Sequence, residues 1–254
     1  MLAAVEAAPF TRLAAVYDAI MADVGYEAWV DFVLREATRR GFAGGRLLDL
    51  GCGTGNATTP ALDRGFVADG VDASPAMVAV ARRKRPDARF FVADVRTLDL
   101  PHRYALAYSV FDALNNLLSD ADFVATLTSV RAHLEPGGWV AFDANTRVGL
   151  TYLWEDDRAE GWAGEVYYRW LHSYDPSTDL ATVEAYCEGP EGAFTEVHHE
   201  RPYDPDDLRR LLERAGYDRI EVLRFPGGDP ADASDERVWA FARAPGPSAV
   251  SGDP

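Results

Sequence analysis

Short apolar runs alternate with amphipathic stretches from Arg46 to Asp143. Leu47-Leu48-Asp49-Leu50 reads as a strand that turns through a glycine-rich loop into a helix over Ala57–Arg64. Phe66–Asp72, Phe90–Ala93, Ala105–Phe111 and Trp139–Asp143 read as further strands. Ser74 and Pro75 suit a helix start on two grounds: the hydroxyl caps free backbone N–H groups, and the fixed φ of proline matches the first helical position. Ser119 with Asp122 opens another helix that runs to Leu134, and Pro136-Gly137-Gly138 makes the turn into the fifth strand. Strands alternating with helices of this length predict a parallel sheet covered on both faces.

On either side the pattern changes. Phe10–Ala22 carries Leu13, Val16, Tyr17 and Ile20 at helical spacing, and Glu27–Arg40 carries Trp29, Phe32, Val33 and Ala37, with Gly41 as the stop. Further on, Glu165–Ser173, Ala181–Cys187 and Phe194–Arg201 alternate like strands. The separators Asp175-Pro176-Ser177 and Gly189-Pro190-Glu191-Gly192 are turn chemistry, so these runs predict an antiparallel meander. Asp204–Ala215 returns to helix, and Arg219–Phe225 and Arg237–Ala242 read as a closing pair of strands. The expected fold is α/β: a three-layer, doubly wound, mostly parallel seven-stranded sheet with an antiparallel terminal hairpin, an N-terminal helical lid and an inserted antiparallel β-meander. A single domain is expected over 1–244, divided into a lid (1–44), a cofactor-binding core (45–144), the inserted meander or substrate cap (145–203) and the closing helix and strands (204–244). The Gly-, Pro- and Ser-rich tail, 245–254, is expected to be disordered.

Charge narrows the partners. The 254 residues include 41 acidic against 25 basic, a formal net charge of −16. Such a surface repels phosphate backbones and anionic lipid, which weighs against a nucleic acid or a membrane as partner. The strong basic run, Arg82-Arg83-Lys84-Arg85, closes a predicted helix, where cations complement the carbonyl-rich end. Cys52 and Cys187 stand far apart and without metal-ligand spacing, so neither a disulfide framework nor a metal is expected. Met1–Pro9 lacks the regions of a signal peptide, and no apolar run approaches transmembrane length. A cytoplasmic protein is expected.

The chemistry concentrates where the first strand ends. Asp49-Leu50-Gly51-Cys52-Gly53-Thr54-Gly55 falls at the switch point of an open α/β sheet, where ligands bind beyond the carboxyl ends of the strands. Its spacing is G-x-G-x-G rather than the G-x-G-x-x-G of dinucleotide binders, because position 56 is Asn. Asp72 and Asp94 each follow a strand; taken singly, each reads as a turn-forming or capping acid. Jointly they suit a nucleoside, one carboxylate accepting both hydroxyls of a ribose diol and the other an exocyclic amine.

In these places at once the chain resembles the class I (Rossmann-like) S-adenosylmethionine-dependent methyltransferase family, bacterial small-molecule type. Leu47–Gly55 is similar to the family's first motif, Leu134-Glu135-Pro136-Gly137-Gly138 to the turn before its fifth strand, and the last two strands to its reversed hairpin. The resemblance implies S-adenosylmethionine as cofactor and S-adenosylhomocysteine as product. It implies that Asp72 binds the ribose hydroxyls and that Asp94 accepts the adenine amine, with Val95 offering its N–H. Val16-Tyr17-Asp18 with Tyr26 and Trp29 resembles the lid of such enzymes, and Phe111-Asp112-Ala113-Leu114-Asn115-Asn116 their fourth-strand exit. His198-His199-Glu200-Arg201-Pro202-Tyr203 resembles the end of their meander. A lid tyrosine there often contacts the methionine part, which implies that role for Tyr17. The implied cofactor set also contains Trp29, Asp49, Gly51, Cys52, Gly53, Gly55, Ala73, Met77, Ser109 and Phe111. The competing reading of Tyr17, Tyr26 and Trp29 is the core of amphipathic helices.

An acceptor must reach the sulfonium methyl from the open side of the sheet. Strand alternation puts Val166, Tyr168, Trp170 and His172 on one face, and Tyr167, Arg169 and Leu171 on the other. His198 and Glu200 share a face opposite His199 and Arg201. Expected acceptor contacts are Asn115, Tyr168, Trp170, His198 and Arg201. His198, a general base near neutral pH, and Tyr17 are the candidate catalytic residues. The competing readings are a hydrogen-bonded strand histidine for His198 and a turn residue for Asn115. Methyl transfer asks little beyond alignment and exclusion of water. The expected activity is transfer to N or O of a small-molecule acceptor, by a monomer or homodimer. Rival readings are a non-catalytic binding or scaffolding protein of the same fold, a methyltransferase acting on a peptide or protein, and an NAD-dependent oxidoreductase with Asp72 on the ribose. The missing third glycine and Asp94 disfavour the last.

Overall fold

Adjacent residues along the central strands point to opposite layers. Leu48, Ala107, Val140 and Ala240 enter one apolar cluster, while Leu47, Leu106, Ala141 and Phe241 enter another. This period-2 division is what a sheet buried on both faces requires. The computed structural model describes residues 5–154 and 157–246; positions 247–254 of the expected tail lie outside the described residues.

The chain opens with β1 (Val5–Ala7), α1 (Tyr17–Ile20) and α2 (Tyr26–Arg39). The core follows as β2 (Arg46–Leu50), α3 (Thr58–Asp63), β3 (Val67–Asp72), α4 (Pro75–Lys84), β4 (Arg89–Val92), β5 (Tyr104–Ser109), α5 (Asp120–His133) and β6 (Leu134–Asn145). Then come α6 (Arg147–Trp154), β7 (Arg158–Ala163), β8 (Val166–Asp175), β9 (Leu180–Gly189) and β10 (Gly192–Glu200). The chain closes with α7 (Pro205–Arg214), β11 (Asp218–Arg224) and β12 (Arg237–Arg243). No helix among the described residues is long and apolar enough to cross a membrane.

The main sheet has the order β11-β12-β6-β5-β2-β3-β4. From β4 to β6 every pairing is parallel, whereas β12 runs antiparallel to both β6 and β11. The expected seven-stranded sheet with a reversed hairpin is therefore present. Because β2 pairs with β3 on one side and β5 on the other, its carboxyl end is the switch point. Ser74 caps α4 by accepting from the Met77 N–H at 3.2 Å, and Ser119 caps α5 by accepting from the Asp122 N–H at 3.1 Å. The basic run ends α4, where Lys84 pairs with Asp18 at 2.6 Å and Arg85 with Asp63 at 2.8 Å.

Three expectations need correction. The first head segment is not one helix over Phe10–Ala22 but a 3₁₀ turn at Leu13–Ala15 followed by the short α1. The cause is long-range: the buried carboxylate of Glu196 accepts from the backbone N–H groups of Phe10, Arg12 and Leu13, and so holds that stretch in a turn, with Phe10 at φ 56°, instead of a continuous helix. Second, the inserted sheet is larger than the expected three strands. Its order is β1-β10-β9-β8-β7, with β1 parallel to β10 and the others antiparallel. β7 escaped the alternation rule because it is exposed over much of its length, so selection for burial left no pattern in it. Third, α6 lies between β6 and this sheet; Thr146 starts it by accepting from the Gly149 N–H at 3.0 Å.

Candidate functional site

The glycine loop leaves β2 with its backbone in a conformation that side chains resist. Gly51 has φ 66°, and a Cβ there would stand 2.9 Å from the Cβ of Ala113. The loop floor is Asp49, buried and receiving the Thr58 hydroxyl at 2.6 Å; desolvation pushes its carboxyl up to about 7. At the end of β3, Asp72 accepts from the N–H of Gly53 at 2.9 Å and from that of Ser74 at 2.7 Å. Burial raises its pKa, and those two backbone donors oppose the rise. One carboxylate thus ties the loop to the start of α4.

A cavity of about 660 Å³ opens above this loop and continues to the inner face of the second sheet. Of the cofactor residues inferred from sequence, Tyr17, Asp49, Gly51, Cys52, Gly53, Asp72, Ala73, Met77, Asp94, Val95 and Phe111 line it. Asp94 is engaged by its own loop: the Arg96 guanidinium lies 2.6 Å away and holds the carboxyl below its usual range. Tyr17 is half-buried beside Tyr26, and desolvation raises its phenol well above the ordinary value. Burial likewise raises the Cys52 thiol, so it lines the cavity as a small apolar group.

Three other members of that set lie outside the lining. Trp29 packs on Phe225, Trp239 and Phe111, with the Arg237 guanidinium 5.3 Å from its ring, so it serves the aromatic layer beneath the site. Gly55 faces α4; a Cβ there would meet Ala81 and Phe90 at 3.3 Å, so its role is close helix packing. Ser109 donates to the Leu50 carbonyl at 2.8 Å and is fully buried between strands.

The acceptor-side expectations divide as well. Trp170 and His198 line the cavity. Asn115 does not: it is buried, donating to the carbonyls of Asn145 at 3.0 Å and Arg201 at 2.8 Å and accepting from the Asn145 N–H at 3.1 Å. It staples the two ends of the inserted sheet to the core. Arg201 points away to Asp120 at 2.7 Å, as its place opposite His198 requires. Tyr168 packs in the apolar cluster around Leu13, Cys187 and Phe194.

Several residues that line the cavity had no assigned role in the sequence reading. Asp112, His172 and Glu200 share its wall with Arg237 from β12 and Trp154 from α6. Arg237 reaches Asp112 at 3.0 Å and Asp143 at 2.7 Å. Desolvation opposes its charge, but those two carboxylates outweigh it and raise its pKa. Glu200 had a sequence signal, its alternation with His198, but nothing in sequence paired it with Asp112. Trp154 and Arg237 had none, since their approach to the site depends on the tertiary arrangement alone.

Geometry of this kind, a glycine loop at the switch point followed by acids at successive strand ends, defines α/β enzymes that hold a nucleoside across the strand tips. The family model described as a methyltransferase domain matches residues 47–138. The chain is 33% identical over 193 residues to the dTDP-3-amino-3,6-dideoxy-alpha-D-glucopyranose N,N-dimethyltransferase of Streptomyces fradiae, the match covering 72% of each chain. It is 28% identical over 240 residues to a protein of Geobacillus sp. (strain WCH70) described as a methyltransferase, covering 89% of this chain and 96% of that one. The crystal structure of a S-adenosylmethionine-dependent methyltransferase from Clostridium acetobutylicum ATCC 824 matches with a TM-score of 0.79 and 25% identity, over 92% of this chain and 98% of that one. The chain belongs to the class I S-adenosylmethionine-dependent methyltransferase family, and it is an enzyme of that class.

Proposed function

We propose that this enzyme transfers a methyl group from S-adenosylmethionine to N or O of a small-molecule acceptor by in-line displacement. The observation that carries the reading is the continuous cavity of about 660 Å³, which runs from the glycine loop to the polar and aromatic face of the second sheet. That volume lies in the range of small-ligand sites. The cradle suits the cofactor: Gly51 and Gly53 allow backbone approach, Asp72 is preset for a diol, and Asp94 with Val95 stands where an adenine edge would end. Tyr17 covers the methionine end. Bound S-adenosylmethionine supplies a methyl group on a positively charged sulfur, with a thioether as leaving group.

The chain's own part is to align and to exclude water. The segment Phe10–Leu13, held by Glu196, closes one side, and Ser74 donates to the Phe10 carbonyl at 2.5 Å from the core side. His198 stands with Nε2 3.4 Å from Glu196 and its ring 4.3 Å from that of Phe10. This supports a positioning role for the imidazole, with no general base required of it. The Streptomyces fradiae relative is named for an amino-sugar substrate, which supports a small acceptor over a macromolecule.

Titration of S-adenosylmethionine, S-adenosylhomocysteine and NAD by calorimetry tests the reading. Binding of both sulfur nucleosides but not NAD is expected; NAD binding without either of them would overturn it.

A further inference from the structure

We propose, resting on the reading just given, that Glu200 and Asp112 form the recognition point of the acceptor and select an amine presented as its ammonium. Glu200 ends β10 on the cavity wall and is only 8% exposed. Among the described residues, its side-chain donor is the Asn145 amide, at a long 3.5 Å. The same nitrogen donates to Asp112 at 3.1 Å, so two carboxylates meet on one amide. The backbone is bent to bring Asp112 there: Phe111 and Asp112 are both left-handed, with φ 62° and 52°. Non-glycine residues avoid that conformation, and strain of this kind collects at functional sites.

The local charge is unbalanced toward negative. The guanidinium of Arg237 is already engaged by Asp112 and Asp143, leaving Glu200 without a cation of its own. Other titratable groups around the pair are His198 on the same strand, His172 of β8, and Tyr17 and Tyr26 of the head; none carries a permanent positive charge. Burial, and then the charge of Asp112, raise the Glu200 carboxyl well above its usual range, so Glu200 holds a proton when no cation is bound. An ammonium replaces that proton, and the aromatic rings of Trp154 and Trp170, which line the same cavity, suit a cation as well. An alcohol brings no compensating charge, and a carboxylate is repelled.

The protons balance. Docking of R–NH3+ releases the Glu200 proton to solvent and leaves the Glu200 carboxylate ionised. The ammonium then returns one proton to Glu200; the electron pair of that N–H bond stays on nitrogen as a lone pair, giving R–NH2 and the Glu200 carboxylic acid. The nitrogen is thereby made nucleophilic inside the cavity.

The test uses the full chain saturated with S-adenosylhomocysteine and two sets of isosteres: cyclohexylamine, cyclohexanol and cyclohexanecarboxylate, and 3-amino-3-deoxyglucose with glucose. Calorimetry should show the amines binding about tenfold or more tighter than their alcohols, with the carboxylate weakest. Buffers of different ionisation enthalpy should report about one proton released per amine bound. Glu200→Gln should abolish that release and cut the preference to about threefold or less. Equal affinities within a set, absence of amine binding, or amine binding without proton release overturns the proposal. These outcomes are read on the unmodified protein, so a Glu200→Gln variant that fails to fold leaves the test intact. Failure of S-adenosylhomocysteine itself to bind would instead overturn the functional reading beneath it.

Discussion

The carboxylate of Glu196 accepts a hydrogen bond from the backbone nitrogen of Phe10 at 2.7 Å, across 186 positions of sequence. The same side chain also accepts from Arg12 at 2.7 Å and Leu13 at 2.9 Å, and it is fully buried. Burial raises its pKa, but the contacts with His198, Leu13 and Phe10 outweigh that and hold it below the usual range. Glu196→Ala should therefore strand several buried donors and destabilise the protein by about 3 kcal/mol or more. Glu196→Gln, which keeps an acceptor oxygen, should cost less. Urea melts give the magnitude, and limited proteolysis gives the place: new cleavage should fall between Ala8 and Val16. A variant with wild-type stability and no new cleavage would remove the clamp from the account.

Both oxygens of Asp72 are oriented by backbone donors, and the proposed function gives this carboxylate the ribose diol. Asp72→Ala should weaken S-adenosylhomocysteine binding by about 1.5–3 kcal/mol, or tenfold and more. Calorimetry at fixed salt measures it. An unchanged affinity would place the ribose elsewhere.

Asp49 links the site to pH-dependent stability. Its folded carboxyl holds a proton up to about 7, because desolvation outweighs the Thr58 hydrogen bond. The unfolded carboxyl loses that proton near about 3.9. Between those values the native state binds more protons than the unfolded one, so this group's contribution falls as pH rises. Asp49→Asn removes the titration, and its stability relative to wild type should improve from about pH 4 upward and level off above about pH 7. Melts across that range measure the slope. A stability difference that stays constant with pH would refute the link.

Gly149 controls how α6 docks. A Cβ there would collide with the backbone carbonyl of Glu236, which cannot yield as a side chain tip can. Gly149→Ala should cost about 1–3 kcal/mol through overpacking. Because the glycine loop lies apart from this contact, affinity for S-adenosylhomocysteine should stay within about twofold of wild type. A combined loss of stability and cofactor affinity would show that the two halves of the cavity are coupled.

Local patterns made the glycine-loop half of the cavity readable. Leu47–Leu50, the glycines after it, and Asp72 and Asp94 each carry their signal within a few residues. Strand alternation and the caps at Ser74 and Ser119 act at the same short range. What those signals missed was spatial: Gly55 and Ser109 sit in the motif region yet pack on α4 and β2 rather than on the cavity. Spacing identifies the loop but does not say which way each member faces.

The half of the cavity toward the second sheet was legible only as a choice between faces. Alternation put His198 with Glu200 and Trp170 with His172, and the packing of the second sheet on the head decided that both pairs face the cavity. Asn115 looked like a ligand-orienting amide, but it became a structural staple once Asn145 and Arg201 were brought beside it. Sequence by itself determined the sheet, the glycine loop and the acids at the strand ends, because backbone geometry and burial periodicity act between near neighbours. Only the tertiary structure decided that Phe10 meets Glu196, that Arg237 meets Asp112, and that Glu200 lacks a cation, because those contacts depend on charges and donors brought together from distant segments.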